Sequence, residues 1–355
     1  MKINEYMKVY TPKINEAIKN IYEKKLKSVE NSFLRTYYTE LKDYFLAGGK
    51  RIRPLLCIAT YNSFIDNPDG EIIVPCVGTE FLHNASLIHD DIIDKDDFRR
   101  GKPAFHYRFK KLHSKYDLKK MLADDFGTNI GIIGGDSAFF MGLEAYLFNN
   151  FDHTLNFKAI QYYEQAFIEI SDGVLIEIDM VNQKKLQIQD YINMVSLKTG
   201  ALIEKSILIG ANYAKVEEKY KKMFSTYGLN LGIIFQIIDD ILGTFGDEKI
   251  TGKPTDGDIR EGKKTCLLIE ANNKLDDNKR RLLEKLITKP EMSDDDVQKV
   301  KELFQEAEVI GSSRELANSY YLEAKSALDD LSSIINQPEA EFFESLLNFV
   351  AERKF

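Results

Sequence analysis

Glu80 to His106 reads E-F-L-H-N-A-S-L-I-H-D-D-I-I-D-K-D-D-F-R-R-G-K-P-A-F-H. From Glu80 to Ile93 apolar residues recur at helical spacing and neither Pro nor Gly interrupts them, which predicts a helix. On that helix Asp94 lies one turn beyond Asp90, with Asp91 beside them. Three carboxylates crowded this way repel one another, and oxygen ligands at this density suit a hard divalent cation such as Mg2+. Arg99 and Arg100 follow closely. Metal ions together with arginines are how a protein grips a polyphosphate. A solvated acidic helix end followed by a basic turn would look the same if nothing else in the chain answered it.

The rest of the chain points to an all-α fold. Between Pro103 and Pro254 there is no proline, and apolar residues recur at three- and four-residue spacing. No Val/Ile/Thr alternation is long enough to demand a sheet. No run approaches eighteen consecutive apolar residues, so no membrane span is expected, and Met1–Ile14 has no apolar core of a signal peptide. A net charge of -8 argues against nonspecific nucleic-acid or acidic-membrane binding. Cys57, Cys76 and Cys266 are far apart, which fits buried thiols in a reducing compartment rather than a zinc site or a disulfide framework.

In chain order, residues 12–28 and 30–47 read as amphipathic helices, the first capped by Thr11 with Pro12 in its first turn. The second stops at Gly48-Gly49. Lys50, Arg51 and Arg53 then place cations beside two glycines, a possible phosphate cradle or a solvated helix start. Pro54 opens a helix over 54–64, and the acidic helix covers 74–95. His83, two turns before Asp90, has the reach to donate to a phosphate, and His89 to support the acidic cluster. Either also fits a buried, hydrogen-bonded histidine. Residues 107–126 are lysine-rich with aromatics between; RNA contact is weighed against the acidic chain and set aside. Gly134-Gly135 inside a helix predicts close packing. Lys198-Thr199-Gly200 falls at a break between two helices, as a diphosphate contact or a plain C-cap.

A second acidic group closes a strongly apolar helix, Gly228–Leu242: Phe235-Gln236-Ile237-Ile238-Asp239-Asp240, with Asp247 just beyond. Aspartates ending so apolar a run need a partner or a metal. The loop that follows is dense in Gly, Asp and Lys, and includes Lys253 and Lys263. It reads as lysines facing a polyphosphate, or as a solvent loop between helices. The remaining helices, to residue 351, carry no chemistry. Two helices that each end in Asp-Asp suggest two facing halves of one cavity in a helical bundle. No P-loop, dinucleotide fingerprint or nucleophile motif competes with that reading. An apolar cavity with a metal-bearing mouth suits a greasy tail on a diphosphate head, and the dry interior would protect a carbocation.

Four motifs in order resemble those of the trans-isoprenyl diphosphate synthases. Asp90-Asp91-Ile92-Ile93-Asp94 with Arg99-Arg100-Gly101-Lys102-Pro103 resembles their first aspartate-rich motif. Gly49-Lys50-Arg51-Ile52-Arg53-Pro54 is similar to G-K-R-x-R-P, and Lys198-Thr199-Gly200 to K-T-G. Phe235–Asp240 with Gly246-Asp247 resembles the second aspartate-rich region. The resemblance spans roughly residues 40–350. It implies one all-α isoprenoid-synthase domain over 1–355, a bundle around a deep central cavity, in a cytoplasmic homodimer. It implies Mg2+, three ions in the closed complex, on Asp90, Asp94 and Asp239. Arg99, Lys198 and Lys253 would bind the allylic diphosphate, and Lys50, Arg53, His83 and Arg100 the isopentenyl diphosphate, with Lys263 a further substrate-binding residue. Thr199 and Gln236 would line the reaction centre. The allylic primer would be dimethylallyl, geranyl or farnesyl diphosphate.

Two departures stand out. The family's D-D-x-x-D would place an aspartate at 243, where this chain has Gly243, and its G-Q-x-x-D appears as Gly173-Val174-Leu175-Ile176-Glu177. Ala85 and Ser86, just before the first motif, are small where short-product members carry bulk. That predicts a product longer than fifteen carbons, with twenty expected, and a pocket floor set by Leu82 and by Phe139 or Phe140. A C25 or longer product and a terpene cyclase of the same fold are the alternatives.

Overall fold

The computed structural model describes residues 1–66, 68, 70–183, 185–246 and 255–353. Among them the protein is all-α but for one two-residue-strand hairpin. The helices, in chain order, are α1 (Ile3–Lys27), α2 (Ser32–Phe45), α3 (Ile52–Asn62), α4 (Ile73–Ile93), α5 (Phe105–Leu112), α6 (Ala123–Gly142), α7 (Glu144–Leu147), α8 (His153–Met180), α9 (Ile188–Val195), α10 (Ala201–Tyr213) and α11 (Glu218–Phe245). They continue with α12 (Gly257–Arg260), α13 (Cys266–Lys274), α14 (Asp277–Ile287), α15 (Asp294–Glu306), α16 (Val309–Ser332) and α17 (Gln337–Ala351). Two compact units divide the chain: Met1–Glu164 with Ser206–Val216, and Gln165–Lys205 with Glu217–Phe355.

In the first unit α4 packs on α1, α3 and α6. Its core is aromatic: Tyr22, Phe45 and Phe81 lie ring to ring, with centroids 4.8–5.5 Å apart. Burial of Ile3 and Tyr6 also explains why α1 starts nine residues before the expected Pro12. Packing holds the helix across Pro12, which sits in its interior, and the Glu5 side chain accepts from the Lys2 backbone N–H at the true start. Residues 105–116 form α5 and a short 3-10 turn. Phe105 and Phe109 are buried there, and Tyr116 packs on Phe33 and Phe126. As expected, Gly134 and Gly135 mark close packing: a Cβ would strike Phe105 in one case and His89 in the other.

In the second unit α11 is the central element, packed on α16 and α17, where Phe224 and Tyr227 meet Phe343. By length and composition α11 could cross a membrane, but 67% of its most apolar window is buried, as in a core helix. Residues 196–200 are a π turn joining α9 to α10 without the expected break. Two glycines make the fit possible. A Cβ on Gly173 of α8 would collide with the Lys198 backbone N, and one on Gly232 of α11 would meet Gly200 Cα at 2.5 Å. Lys198 and Thr199 are thereby pressed between α8 and α11.

Candidate active site

The first acidic motif ends α4, and its three carboxylates have different surroundings. Asp91 is fully buried; Arg99 Nε donates to it at 2.5 Å and Tyr44 Oη at 3.2 Å. Burial raises its carboxyl pKa, against the pull of Arg99 and the hydrogen bonds. Asp90 and Asp94 are half-buried at the helix end, with the Asp94 N–H donating to the Asp90 carbonyl. Arg99 therefore lies along the motif, as expected, but is already engaged by Asp91.

Arg99 and Arg100 sit in the hairpin, where Phe98 pairs with Pro103 and Arg99 with Lys102. Its turn is Arg100-Gly101 with φ of 54° and 70°, the two positive values a tight type I′ turn needs. An arginine in that conformation is uncommon and strained, which marks Arg100 as a positioned residue. Arg100 Nη1 donates to the Gly48 carbonyl at 2.7 Å, and its guanidinium lies 3.1 Å from where a Gly49 Cβ would be.

The Gly48–Arg53 segment is thus joined to Arg100, as the cradle reading requires. Arg53 Nε is buried with no hydrogen-bond partner. Burial, with Arg100 nearby, lowers the Arg53 guanidinium to about 10 despite Glu80. His83 is driven well below the usual histidine range by burial and by Arg53, Arg100, Arg99 and Arg51, so it is neutral and can donate without charge. Lys50 is exposed beside them. Arg51 does not join the cradle. It turns inward, with Nη1 2.6 Å from Glu80 Oε1, Nε donating to Asn15 and Nη2 to the Phe45 carbonyl. His89 likewise leaves the acidic cluster for α6, its Nε2 3.1 Å from the Ile132 carbonyl and its ring against Phe139. Leu82 and Ala85 are buried and Ser86 half-buried. Phe140 is 75% exposed, whereas Phe139 is half-buried with its ring against His89.

The second acidic group lies in the other unit, at the end of α11. Asp240 is buried and accepts from Tyr191 Oη and Gln236 Nε2, each at 2.7 Å. Burial, then the charge of Asp258, pushes its carboxyl pKa well above the ordinary range. Gln236 in turn accepts from Thr199 Oγ1 at 2.9 Å, so Thr199 and Gln236 are joined to Asp240 by one chain of hydrogen bonds, which does not include Asp239. Asp239 is half-exposed and pairs with Arg353 at 2.7 Å. Lys198 donates to Glu177 at 2.5 Å, and Lys263 lies 2.9 Å from Glu261. A cavity of about 70 Å³ is lined by Lys198, Thr199, Gln236, Asp240, Asp258 and Lys263 among others. Lys253 and Asp247 lie outside the described residues.

In each Asp-Asp pair one member is buried and fixed by a tyrosine: Asp91 by Tyr44, Asp240 by Tyr191. Asp90, Asp94 and Asp239 stay at the helix ends. These are hard oxygen donors suited to Mg2+, but among the described residues no three His, Cys, Asp or Glu side chains form a set that could hold a metal. The carboxylates of either motif, taken by themselves, still fit Mg2+, which keeps several waters and binds through one or two carboxylates plus substrate phosphates. Tyr44, Tyr191, Asp258 and Arg353 were missed by sequence reasoning, because it could not see which residues the fold brings beside them. Glu177, which the sequence shows at the G-Q-x-x-D position, is the partner of Lys198.

A family model described as Polyprenyl synthetase matches residues 35–305. A short chain isoprenyl diphosphate synthase of Methanocaldococcus jannaschii is 31% identical over 94% of this chain and 96% of its own. A geranylfarnesyl diphosphate synthase of Aeropyrum pernix is 34% identical, over 86% and 91%. The same fold, with a TM-score of 0.90 at 24% identity and full coverage of both chains, occurs in a geranylgeranyl pyrophosphate synthase of Corynebacterium glutamicum solved with isoprenyl diphosphate and magnesium.

Proposed function

Because the chain belongs to the polyprenyl synthetase family, we propose that it is a head-to-tail trans-prenyltransferase. It joins isopentenyl diphosphate to an allylic diphosphate, releases diphosphate and makes geranylgeranyl diphosphate. The observation that carries this reading is the cradle: a buried Arg53 Nε without a partner, beside Arg100 and a neutral His83. Three basic side chains, one with an unanswered buried donor, call for an anion. With Lys50 they take the diphosphate of the isopentenyl acceptor.

Asp90, Asp94 and Asp239 hold Mg2+, three ions when substrate is bound, which supplies the charge that a departing diphosphate needs. Arg99, Lys198, Lys253 and Lys263 bind the allylic diphosphate. Thr199 and Gln236, fixed by Asp240, present a hydroxyl and an amide to the reacting carbons. The allylic C–O bond breaks, the isopentenyl double bond attacks the cation, and a proton leaves to the released diphosphate. Residues 1–355 are read as one isoprenyl diphosphate synthase domain.

Small Ala85 and Ser86 favour a twenty-carbon product over fifteen. A geranylfarnesyl synthase among the relatives makes twenty-five carbons the competing length. The exposed apolar side chains of α6, Ile132, Ile133 and Phe140, support a homodimer, and three buried free cysteines suit the cytoplasm. The test is a product assay: Mg2+, isopentenyl diphosphate and, in turn, dimethylallyl, geranyl or farnesyl diphosphate, with chain length read after phosphatase treatment. A linear C20 alcohol is expected. A longer ladder moves the pocket floor; cyclic hydrocarbons or no product from any primer would overturn the reading.

A further inference from the structure

The lysine-rich segment 107–126 takes no part in the site above. It carries six Lys or Arg against three Asp, in a chain whose net charge is -8. Three of the cations are answered: Arg108 by Glu40 at 3.3 Å, Lys119 by Asp117 at 3.8 Å, and Lys110 by Asp124. Lys111, Lys115 and Lys120 are exposed, as is Lys102 in the hairpin, and among the described residues none of these four has a carboxylate partner. Exposed apolar side chains stand among them: Leu122 at 72%, Phe98 at 55% and Met121 at 40%. Contacts place them on one continuous surface. The Phe98 and Tyr107 rings lie 5.4 Å apart, with Lys111 Nζ over both. Lys110 Nζ is 5.7 Å from the Tyr107 ring centre and also holds Asp124, next but one to Leu122. His113 Nε2, 2.7 Å from the Met121 carbonyl, ties the loop back onto the end of α5.

We propose that this face, made of the hairpin, α5 and the loop leading to α6, docks on an anionic lipid surface. Unpaired lysines gain by approaching negative headgroups, and Leu122, Met121 and Phe98 gain by leaving water for the acyl boundary. Because the chain as a whole is acidic, its other faces are repelled, and the local excess of lysine fixes which side turns to the bilayer. A nucleic acid fits less well. The Tyr107 ring already has Lys111 4.4 Å from its centre, and Leu122 and Met121 offer no ring on which a base could stack. The hairpin on this face is the one whose Arg100 reaches the Gly48 carbonyl, so docking brings the edge of the cradle to the interface where a greasy-tailed diphosphate resides. The docking itself does not depend on the prenyltransferase reading.

The test is sedimentation of the full-length protein with vesicles of phosphatidylcholine alone or mixed with phosphatidylglycerol. Preference for the anionic vesicles is expected, and it falls as salt is raised. Lys111→Glu/Lys120→Glu is expected to weaken that binding about tenfold or more. Leu122→Ser is expected to weaken it about fivefold while keeping the salt dependence. These side chains are exposed, so the thermal midpoints of both variants stay near that of the parent. Lys222→Glu/Lys299→Glu, at exposed positions of the other unit, changes the total charge equally and is expected to keep most of the affinity. The proposal is overturned if the parent shows no preference for anionic vesicles, if either patch variant binds as tightly as the parent, or if the distal pair loses as much as the patch pair. Retention of polyuridylate by the parent without vesicle binding would also overturn it, and would identify a nucleic-acid face. Product formation is a separate readout, so failure of docking and failure of the prenyltransferase reading are distinguishable.

Discussion

Removing Glu80 should destabilise the first unit more than any surface change. Arg51 and Glu80 form an ion pair with Nη1 2.6 Å from Oε1, and their side chains are 0% and 3% exposed. Arg51 also caps the start of α3 at φ 55° and ties Asn15 and the Phe45 carbonyl, while Asn84 donates to Glu80. Glu80→Leu leaves the guanidinium buried without its counter-charge, and breaking such a pair costs about 3–5 kcal/mol. For a unit of this size that is a fall of about 6–20 °C in the thermal midpoint. The double variant Arg51→Met/Glu80→Leu removes both charges, so its cost should fall short of the summed singles Arg51→Met and Glu80→Leu by about 1–3 kcal/mol. It does not fall to zero, because Asn15 and the Phe45 carbonyl lose a donor. Urea titrations of the parent, both singles and the double measure this directly. A Glu80→Leu cost under about 1 kcal/mol, or strictly additive singles, would refute the reasoning.

Other variants probe the site. Ala85→Phe fills space beside the first acidic motif and should shorten the product; an unchanged chain length would show that Ala85 does not line the tail pocket. Tyr191→Phe removes a donor to buried Asp240 and should cost about 1.5–3 kcal/mol in a urea titration. Tyr44→Phe should cost less, because Arg99 still holds Asp91; equal costs would mean that Arg99 does not make up for the lost tyrosine. Burial raises the folded-state pKa of both Asp240 and Asp258, so folding favours their protonated forms. Their contribution therefore turns unfavourable as pH rises above about 4 in metal-free protein, and Asp240→Asn should flatten that loss in a pH series of urea midpoints. Asn31 caps α2 by accepting from Phe33 and Leu34, and Asn31→Ala should cost about 1 kcal/mol.

Much of the site was legible because it is local. Asp90 and Asp94 share a face through helix geometry alone, and Gln236 and Asp240 meet for the same reason at i, i+4. The cradle was legible in part. Two glycines and a run of cations announced it, yet adjacent arginines gave no hint that Arg51 turns inward while Arg53 keeps an unpartnered Nε. Pro12 misled because local propensity predicts a helix start, whereas burial of Tyr6 and Ile3 carries the helix through it. The expected break at Lys198 failed similarly: a glycine reads as a stop, but here Gly200 lets α11 approach a helix that continues as a π turn.

By itself the sequence determined the helical class, the four motifs, their order and hence the family, since periodicity and short motifs are properties of neighbours along the chain. Tertiary structure decided which member of each charged group does what. Asp91 and Asp240 are claimed by tyrosines 47 and 49 residues away, and Arg51 by a glutamate 29 away. Asp258, from another helix, stands 3.3 Å from where a Gly243 Cβ would be. Burial and hydrogen bonding divide chemically identical side chains into supports and binders, and both are set by residues that meet only when the chain has folded.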